Sequence, residues 1–397
     1  MNLLRPICRG LLVVLFALGS LAASFASALS EGSMLVYIGS YTGSKSQGIY
    51  VSRFDPATGN LSRPELAAEA KNPSFLALHP RRGILYAVGE VDSFEGRPVG
   101  SVTAFRIDSK SGKLILLNQQ PSGGAGPCHL AVDAAGKCLL VANYGSGSIA
   151  ALPIQAGGAL GQPHAIIQHQ GSSLNPQRQD APHAHFITPD PANRFALACD
   201  LGLDKVLVYR LDPNKAALQS NDPPSISLRG GAGPRHLAFH PNGRVAYVIN
   251  ELDSTLTVFA YDAKNGALSE LQTLSTLPDS FRGSNTGAEV QIHPSAKFVY
   301  ASNRGHDSIA MFSVEPGTGK LTAAGHQSTQ GKTPRHFALD PAGKWLLAEN
   351  QDSDAISVFR VDSGTGKLTP TGSPLQVGAP VCVVFAPVKS QRSERPL

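Results

Sequence analysis

A repeated unit of short β-strand patterns constrains the fold of this chain more than any other feature. Its clearest copy is GAGPRHLAFHPNGRVAYVINELDSTLTVF at Gly231–Phe259. Two mostly apolar runs, His236–His240 and Val245–Ile249, flank a Pro-Asn-Gly tripeptide, and an alternating run follows at Thr255–Phe259. Because Pro presets φ and Gly permits positive φ, the tripeptide predicts a tight turn. The copy therefore predicts a β-hairpin followed by a third strand.

The unit recurs along nearly the whole chain at intervals of about 46 to 55 residues, which fits a four-stranded propeller blade. Its first strands align on one Pro or Gly each: Pro73, Pro127, Pro182, Pro234, Gly287 and Pro334. Near the N-terminus, Leu35–Ile38 and Gly48–Phe54 match second and third strands, but no first strand precedes them. A lone first-strand pattern lies at the far end, Pro380–Ala386. We therefore predict an all-β, seven-bladed β-propeller whose C-terminal strand completes the N-terminal blade, since ring closure removes exposed sheet edges.

Residues 1–28 resemble a secretory signal peptide. Arg5 and Arg9 precede the apolar stretch Leu11–Leu21, and Ala26-Ser27-Ala28 fits the pattern of a cleavage site. We place the cut after Ala28. The alternative is an uncleaved membrane anchor, for which the apolar stretch is short. The sequence therefore predicts a periplasmic or secreted protein, with a cytoplasmic protein as the alternative.

The mature chain is expected to form one propeller over residues 34–387, followed by a disordered tail over 388–397. Loss of Arg5 and Arg9 lowers the net charge of +5 to +3, which is too small and scattered an excess to predict nucleic-acid binding. A closed ring needs no partner, so we expect a monomer that has no membrane contact after cleavage. The cysteines outside the signal lack metal-type spacing, and we expect them to be buried thiols. They are Cys128, Cys138, Cys199 and Cys382.

The repeat brings charged residues together near the axis of the predicted ring. The first strand of a blade is innermost, and its start lies beside the end of the antiparallel second strand, so both points lie on one face of the disc. The charged and imidazole residues that occupy these points are Glu90, His129, His183, Arg235, His236, Glu251, Glu289, Arg304, Arg335 and His336, with His185 one residue further on. Because buried charges are costly unless they are paired or used, this density indicates a functional site.

The residue types in this cluster favour an anionic substrate. Arginine binds carboxylates and phosphates bidentately, which suits Arg235, Arg304 and Arg335 to such a ligand. Glu251, Glu289 and the histidines could activate a water molecule.

A metal or nucleotide cofactor is not predicted. His183 and His185 form a His-x-His pair, but the neighbouring arginines disfavour a divalent cation. No Gly-rich phosphate loop leads from a strand into a helix.

Other recurring polar residues are expected to be structural. Histidines that precede a proline at the first hairpin turn lie on the opposite face and should cap that turn; they are His79, His240 and His293. Asparagines that follow the second strands should hold loop backbones by side-chain hydrogen bonds; they are Asn143, Asn250, Asn303 and Asn350.

The motifs resemble the lactonase family of seven-bladed propellers, which includes the bacterial propeller-type 6-phosphogluconolactonase and the fungal carboxy-muconate lactonizing enzyme. The resemblance covers about residues 34–387. It rests on Gly231–Phe259, ASNRGHDSIAMF at Ala301–Phe312, GKTPRHFALDPAGKWLLAENQDSDAISVFRVD at Gly331–Asp362, and PHAH at Pro182–His185. Glu349 departs from the family pattern, because relatives more often carry a small apolar residue there.

The resemblance implies that the proposed family site falls on His183 or His185, Arg235, Glu251 and Arg304. It implies a hydrolase that opens a sugar-acid lactone, similar to 6-phosphogluconolactonase. In this hypothesis Glu251 and a histidine activate water, while the two arginines hold the anionic group or the developing oxyanion. The residues expected to contact substrate are His129, His236, Glu289, Arg335 and His336.

Two further functions remain open at this level. A cyclase that interconverts a muconate-type diacid and its lactone would use the same site, and a non-enzymatic periplasmic propeller could bind a ligand there. A secretory signal does not suit a phosphorylated, cytoplasmic sugar, so the sequence leaves the particular lactone open. It also leaves open whether Glu251, Glu289 or a histidine is the base.

Overall fold

The computed structural model describes residues 32–388, which form seven four-stranded antiparallel sheets. From the inner to the outer strand, blade 1 contains β28 (Pro380–Pro387), β1 (Met34–Ser40), β2 (Gly48–Phe54) and β3 (Glu65–Glu69). Blade 2 contains β4 (Leu76–Leu78), β5 (Ile84–Gly89), β6 (Ser101–Ile107) and β7 (Leu114–Pro121). Blade 3 contains β8 (Pro127–Val132), β9 (Cys138–Asn143), β10 (Ser148–Pro153) and β11 (Ala165–Gln168).

The remaining four blades follow the same order. Blade 4 contains β12 (Ala184–Pro189), β13 (Phe195–Asp200), β14 (Lys205–Asp212) and β15 (Ala217–Ser227). Blade 5 contains β16 (Pro234–Phe239), β17 (Val245–Asn250), β18 (Thr255–Asp262) and β19 (Ala267–Ser275). Blade 6 contains β20 (Thr286–Ile292), β21 (Phe298–Arg304), β22 (Ser308–Val314) and β23 (Leu321–Ser328). Blade 7 contains β24 (Pro334–Leu339), β25 (Trp345–Asn350), β26 (Ala355–Val361) and β27 (Leu368–Gln376).

The C-terminal strand closes the ring, as predicted. Strand β28 pairs antiparallel with β1, from Ser40 opposite Pro380 to Met34 opposite Pro387. This pairing satisfies the inner edge of β1, which no preceding strand covers. The all-β, seven-bladed architecture expected from the repeats is therefore confirmed.

The hydrophobic core is divided among the interfaces between neighbouring blades. Each of the seven clusters joins one blade to the next; the last joins Val36 and Ile38 of blade 1 to Leu347 and Ile356 of blade 7. The second strands lie between neighbouring blades on both faces, which explains why they are continuous apolar runs with every residue buried, as in β17. The outer strands alternate, because only one face of each is covered.

Tyrosines on the second strands of four blades connect each of these blades to the following one. The Tyr37 hydroxyl donates a hydrogen bond to the Gly112 carbonyl at 2.9 Å, and the Tyr300 hydroxyl donates one to the Gly366 carbonyl at 2.8 Å. Tyr86 and Tyr247 make the same contact. Gly112 and Gly366 have φ values of +77° and +71°, which explains why these turns use glycine.

The residues expected to be structural have the predicted roles. Nδ1 of His79 accepts from the backbone N–H of Arg81, and Nδ1 of His240 accepts from the backbone N–H of Asn242, so each histidine caps its turn. Nδ2 of Asn303 donates to the Thr276 carbonyl at 2.7 Å and holds a loop. All four cysteines in residues 32–388 are buried free thiols.

The predicted signal peptide at 1–28 and nearly all of the predicted tail at 388–397 lie outside the described residues. Within residues 32–388, no helix is long and apolar enough to cross a membrane.

Candidate active site

Bulges at the start of the inner strands aim the candidate side chains toward the axis. In blade 5 the register shifts between Pro234 and His236, so Arg235 is an extra residue in β16. The same shift makes Arg335 the extra residue of β24. A bulge breaks the alternation of a strand and re-aims a side chain. Consecutive residues such as Arg235 and His236 can therefore both be buried at the centre of the ring.

The bulge in blade 4 corrects the alignment made from the sequence. Ala184 pairs with Asp200 and Phe186 pairs with Cys199, so His185 is the extra residue. His185 is thus the equivalent of Arg235 and Arg335, whereas the alignment on Pro182 gave that position to His183. Two additional residues precede this strand at the end of the insert, so the alignment anchored on Pro182 was displaced by two positions.

The Glu251 carboxylate lies among three guanidinium groups. Its Oε2 is 2.9 Å from Nε of Arg235 and 2.8 Å from Nη2 of Arg304, and its Oε1 is 2.6 Å from Nη2 of Arg178. Burial opposes ionisation of Glu251, but Arg304 and Arg235 more than offset it and hold the pKa well below the usual range. Glu251 is therefore a carboxylate at neutral pH.

Arg178 is a member of this cluster that the sequence did not assign to the site. It lies in the insert between blades 3 and 4, and its Nη2 also donates to the Tyr144 hydroxyl at 3.2 Å. The only sequence signal was the polarity of the insert, because no repeat position relates it to the rim.

A buried carboxylate clamps both ends of the insert that carries Arg178. Oδ2 of Asp200 is 2.6 Å from Nδ1 of His169, and Oδ1 of Asp200 accepts from the His183 amide at 2.8 Å. The Tyr209 hydroxyl is 2.9 Å from Nε2 of His169. His169 and Asp200 are both buried, so this triad fixes where the insert leaves and rejoins the blades.

The two histidines of the PHAH segment differ in environment. The His183 ring stacks on the Tyr144 ring with centroids 4.5 Å apart, and its Nδ1 is 3.0 Å from the Tyr144 carbonyl oxygen. His185 is buried, and its Nδ1 has no hydrogen-bond partner among residues 32–388. Burial and the charge of Arg235 hold the pKa of His185 well below its usual range. The imidazole is therefore neutral at pH 7.

Four buried side chains from blades 5 to 7 form a chain beneath the arginines. Nδ1 of His236 is 2.7 Å from Oε2 of Glu289, and Nε2 of His336 is 3.7 Å from the same oxygen. Nδ1 of His336 is 2.7 Å from Oε2 of Glu349. Glu349, whose orientation the sequence did not predict, therefore belongs to this buried network.

His129 is enclosed by aromatic rings. Its ring centroid is 4.2 Å from that of Phe75 and 4.1 Å from that of Phe186. Burial holds the pKa of His129 well below its usual range.

Arg335 lies on the rim where blade 7 meets blade 1. Its guanidinium carbon is 5.3 Å from the Tyr41 ring centroid, a cation–π distance. The Tyr41 hydroxyl in turn donates to the Glu90 carboxylate, at 2.9 Å to Oε2. Unlike Arg235 and Arg304, Arg335 donates no hydrogen bond to a residue in 32–388.

A small cavity lies at the centre of this arrangement. It has a volume of about 10 Å³ and its polar lining includes His185, Arg235, His236, Arg335 and His336. That volume holds about one water molecule. Among the described residues, no group of three or more His, Cys, Asp or Glu side chains has the geometry of a metal site.

Fold and site together define a seven-bladed propeller with a cationic, histidine-lined pocket at the axis. The family model described as "Lactonase, 7-bladed beta-propeller" matches residues 35–385. The chain belongs to this family, which confirms the resemblance found in the motifs and the predicted enzyme class, a lactonase.

Similar proteins carry related names. The chain is 38% identical over 304 residues to the 6-phosphogluconolactonase of Bacillus subtilis, which covers 77% of this chain and 84% of that protein. The solved structure of the periplasmic gluconolactonase of Pseudomonas aeruginosa has a TM-score of 0.85 and 36% identity, covering 90% of this chain and 100% of that one. A putative 6-phosphogluconolactonase from Bacteroides fragilis has a TM-score of 0.84 and 35% identity, with 90% and 99% covered.

Proposed function

We propose that this protein hydrolyses a sugar-acid lactone of the gluconolactone type at the mouth of the axial cavity, which by itself holds about one water molecule. The observation that carries the proposal is the Glu251 carboxylate held by three guanidinium groups near the neutral His185, whose Nδ1 has no hydrogen-bond partner among residues 32–388. This combination supplies a proton acceptor and positive charge at one place. The names of the relatives support the substrate class.

His185 is the proposed base. Water adds to the lactone carbonyl carbon while a proton of that water passes to His185. The resulting imidazolium is stabilised by the Glu251 carboxylate, which acts on His185 electrostatically and stays ionised at pH 7. The ring C–O bond then breaks, and the ring oxygen takes the proton from His185 and leaves as a hydroxyl group. The product is the open-chain hydroxy acid.

The arginines stabilise the charge that develops on the carbonyl oxygen. Nη1 of Arg235 donates to the Ala288 carbonyl at 2.6 Å, and Nη2 of Arg304 donates to the Gly287 carbonyl at 3.1 Å. Each guanidinium has five N–H donors, so donors remain for an oxyanion. Because the backbone contacts and Glu251 fix both groups before substrate binds, little reorganisation is needed in the transition state.

Arg335 is proposed to bind the distal end of the substrate. Its guanidinium has donors to spare and lines the central cavity. A phosphate or hydroxyl group of the sugar would satisfy it.

The signal-like residues 1–28 and the periplasmic relative support secretion. We therefore propose cleavage after Ala28 and a periplasmic enzyme that receives unphosphorylated lactone.

The test is hydrolysis of gluconolactone and of 6-phosphogluconolactone by the chain from Leu29, with spontaneous hydrolysis subtracted. We expect Glu251→Gln and Arg304→Ala to reduce the rate by about a hundredfold or more. Arg229→Ala is the matched control, since Arg229 pairs with Asp253 at 2.8 Å on an exposed surface outside the cluster. Full activity in both site variants would contradict the proposal. If neither lactone is hydrolysed, the next substrates to test are muconate-type diacids, which the cyclase alternative would convert.

A further inference from the structure

The chain His236–Glu289–His336–Glu349 alternates imidazole and carboxyl groups, and the arginine cluster around Glu251 does not explain why these groups are there. All four side chains are buried, with relative exposures of 3%, 6%, 5% and 0%. They come from strands β16, β20, β24 and β25, so three blades converge to build one network. Two carboxyl groups at the centre of a protein are costly unless they are neutral or well paired.

Among residues 32–388, no arginine or lysine forms an ion pair with the two carboxyl groups of this chain. Arg235, His185 and His129 act on His236 electrostatically, together with His336. Cys382 faces both carboxyl groups as a neutral thiol. Burial raises the pKa of Glu289 to about 8, with Arg235 opposing the rise, and raises the pKa of Glu349 well above its usual value. Burial lowers the pKa of His336 to about 3. Both carboxyl groups are therefore protonated and His336 is neutral at pH 7.

With both carboxyl groups protonated, proton donation runs in one direction along the chain. The Glu349 carboxyl donates to Nδ1 of His336, which leaves the His336 proton on Nε2, facing Oε2 of Glu289 at 3.7 Å. The Glu289 carboxyl then donates to Nδ1 of His236 at 2.7 Å. The remaining His236 proton is on Nε2, which has no partner among residues 32–388 and lines the central cavity.

We propose that Glu289, supported by His336 and Glu349, keeps His236 in the tautomer whose Nε2–H points into the cavity and donates a hydrogen bond to the lactone carbonyl oxygen. The inference rests on the proposed lactone hydrolysis. His236 is then a catalytic residue that complements Arg235, and Glu289 and Glu349 are positioning residues. The reverse arrangement, with Glu289 ionised, would place the proton on Nδ1 and make Nε2 an acceptor, as in a Ser-His-Asp triad.

Glu289→Gln separates these two arrangements. Val290 and Gln291 hydrogen-bond to the Glu289 carboxyl group, so a glutamine that keeps its oxygen toward these donors directs its amide N–H toward Nδ1 of His236. This preserves the Nε2–H tautomer at every pH. Glu289→Ala removes the donor.

We expect Glu289→Ala to lower the rate about a hundredfold at pH 7, as for the loss of an oxyanion donor. The rate of Glu289→Gln should be only about tenfold below that of the wild type. The wild-type rate should fall as pH rises through about 8, where Glu289 ionises, and this alkaline limb should be missing in Glu289→Gln. A loss of about 10⁴-fold in Glu289→Gln, the size seen when a triad carboxylate is replaced by its amide, would overturn the proposal. An unchanged alkaline limb in that variant would also overturn it.

A second measurement does not depend on turnover. In protein labelled with ¹⁵N-histidine, the nitrogen shifts of His236, assigned by their loss in His236→Gln, report its tautomer. We expect the Nε2–H form at pH 7 and the Nδ1–H form at pH 9.5. The Nδ1–H form at pH 7 overturns the proposal. If the expected tautomers are found but the protein hydrolyses no lactone, the role of Glu289 in setting the His236 tautomer would be supported and the proposed lactone hydrolysis would be contradicted.

Discussion

Nη2 of Arg178 lies 2.6 Å from Oε1 of Glu251 across 73 positions of sequence, and this contact attaches the insert between blades 3 and 4 to the rim of the pocket. Arg178 is the only one of the three Glu251 partners that comes from a loop. The position of the loop thus affects the charge balance of the site.

Removal of Arg178 should weaken catalysis without unfolding the propeller. In Arg178→Ala, Glu251 keeps two guanidinium partners and its pKa rises toward the usual value. We expect kcat/KM for lactone hydrolysis to fall about tenfold, which corresponds to about 1.4 kcal/mol of transition-state stabilisation. Steady-state kinetics across pH would measure it. The Arg229→Ala control should keep wild-type rates, and equal losses in the two variants would show that general surface charge is responsible.

Replacement of Glu251 should reduce stability as well as activity. Glu251→Gln leaves Arg235 buried without its carboxylate, and loss of one partner of a buried ion pair costs about 3–5 kcal/mol. Urea unfolding at pH 7 would measure the difference. As a control, Arg229→Ala removes the exposed partner of Asp253 and should cost less than about 1 kcal/mol.

The stability difference between wild type and Glu251→Gln should depend on pH. The pKa of Glu251 is depressed below its ordinary value of 4.5 in the folded protein. Its contribution is therefore fully present above pH 4.5 and decreases as pH falls below that value, at up to about 1.4 kcal/mol per pH unit. Unfolding free energies at pH 7, 4 and 3 should show the two proteins converging. A constant difference over that range would contradict the depressed pKa.

Arg335 should discriminate between phosphorylated and unphosphorylated lactones. Because its guanidinium donates to no residue in 32–388 and stacks on Tyr41, it is free to contact the substrate. If a phosphate binds there, Arg335→Ala should lower kcat/KM for 6-phosphogluconolactone about tenfold more than for gluconolactone. Arg335→Lys keeps the charge and should recover part of the loss. Equal losses on the two substrates would place the sugar hydroxyls, and not a phosphate, at this residue.

The buried triad that clamps the insert should influence the rate through Arg178. Tyr209→Phe removes the hydroxyl 2.9 Å from His169 and should cost about 1 kcal/mol of stability, with a few-fold loss of kcat because the insert is held less firmly. Tyr261→Phe is a matched control, since the buried Tyr261 hydroxyl donates to Asp190 at 3.2 Å away from the insert. Both variants should lose similar unfolding free energy, and only Tyr209→Phe should lose activity. Equal activities would mean that the triad does not position Arg178.

Most of the residues around the axis were predictable because they recur in the repeat. Arg235, Glu251, Arg304 and Arg335 follow from their positions at strand ends, and the structure brings them to one face of the ring. Arg178 was not predictable, because an insert has no counterpart in the other blades. The alignment of His183 was wrong by two residues, because it was anchored on Pro182, whereas Ala184 takes the place that Pro234 has in blade 5.

The sequence by itself determined the blades and the closure of the ring, because turn chemistry and apolar periodicity act over a few neighbouring residues and repeat along the chain. Only the tertiary structure decided which side chains share protons and charges. The contacts of Glu251 with Arg178, and of Glu289 with His236, join residues from different blades. Their strength depends on distances and burial that no local pattern encodes, since a buried charge is governed by every group that converges on it.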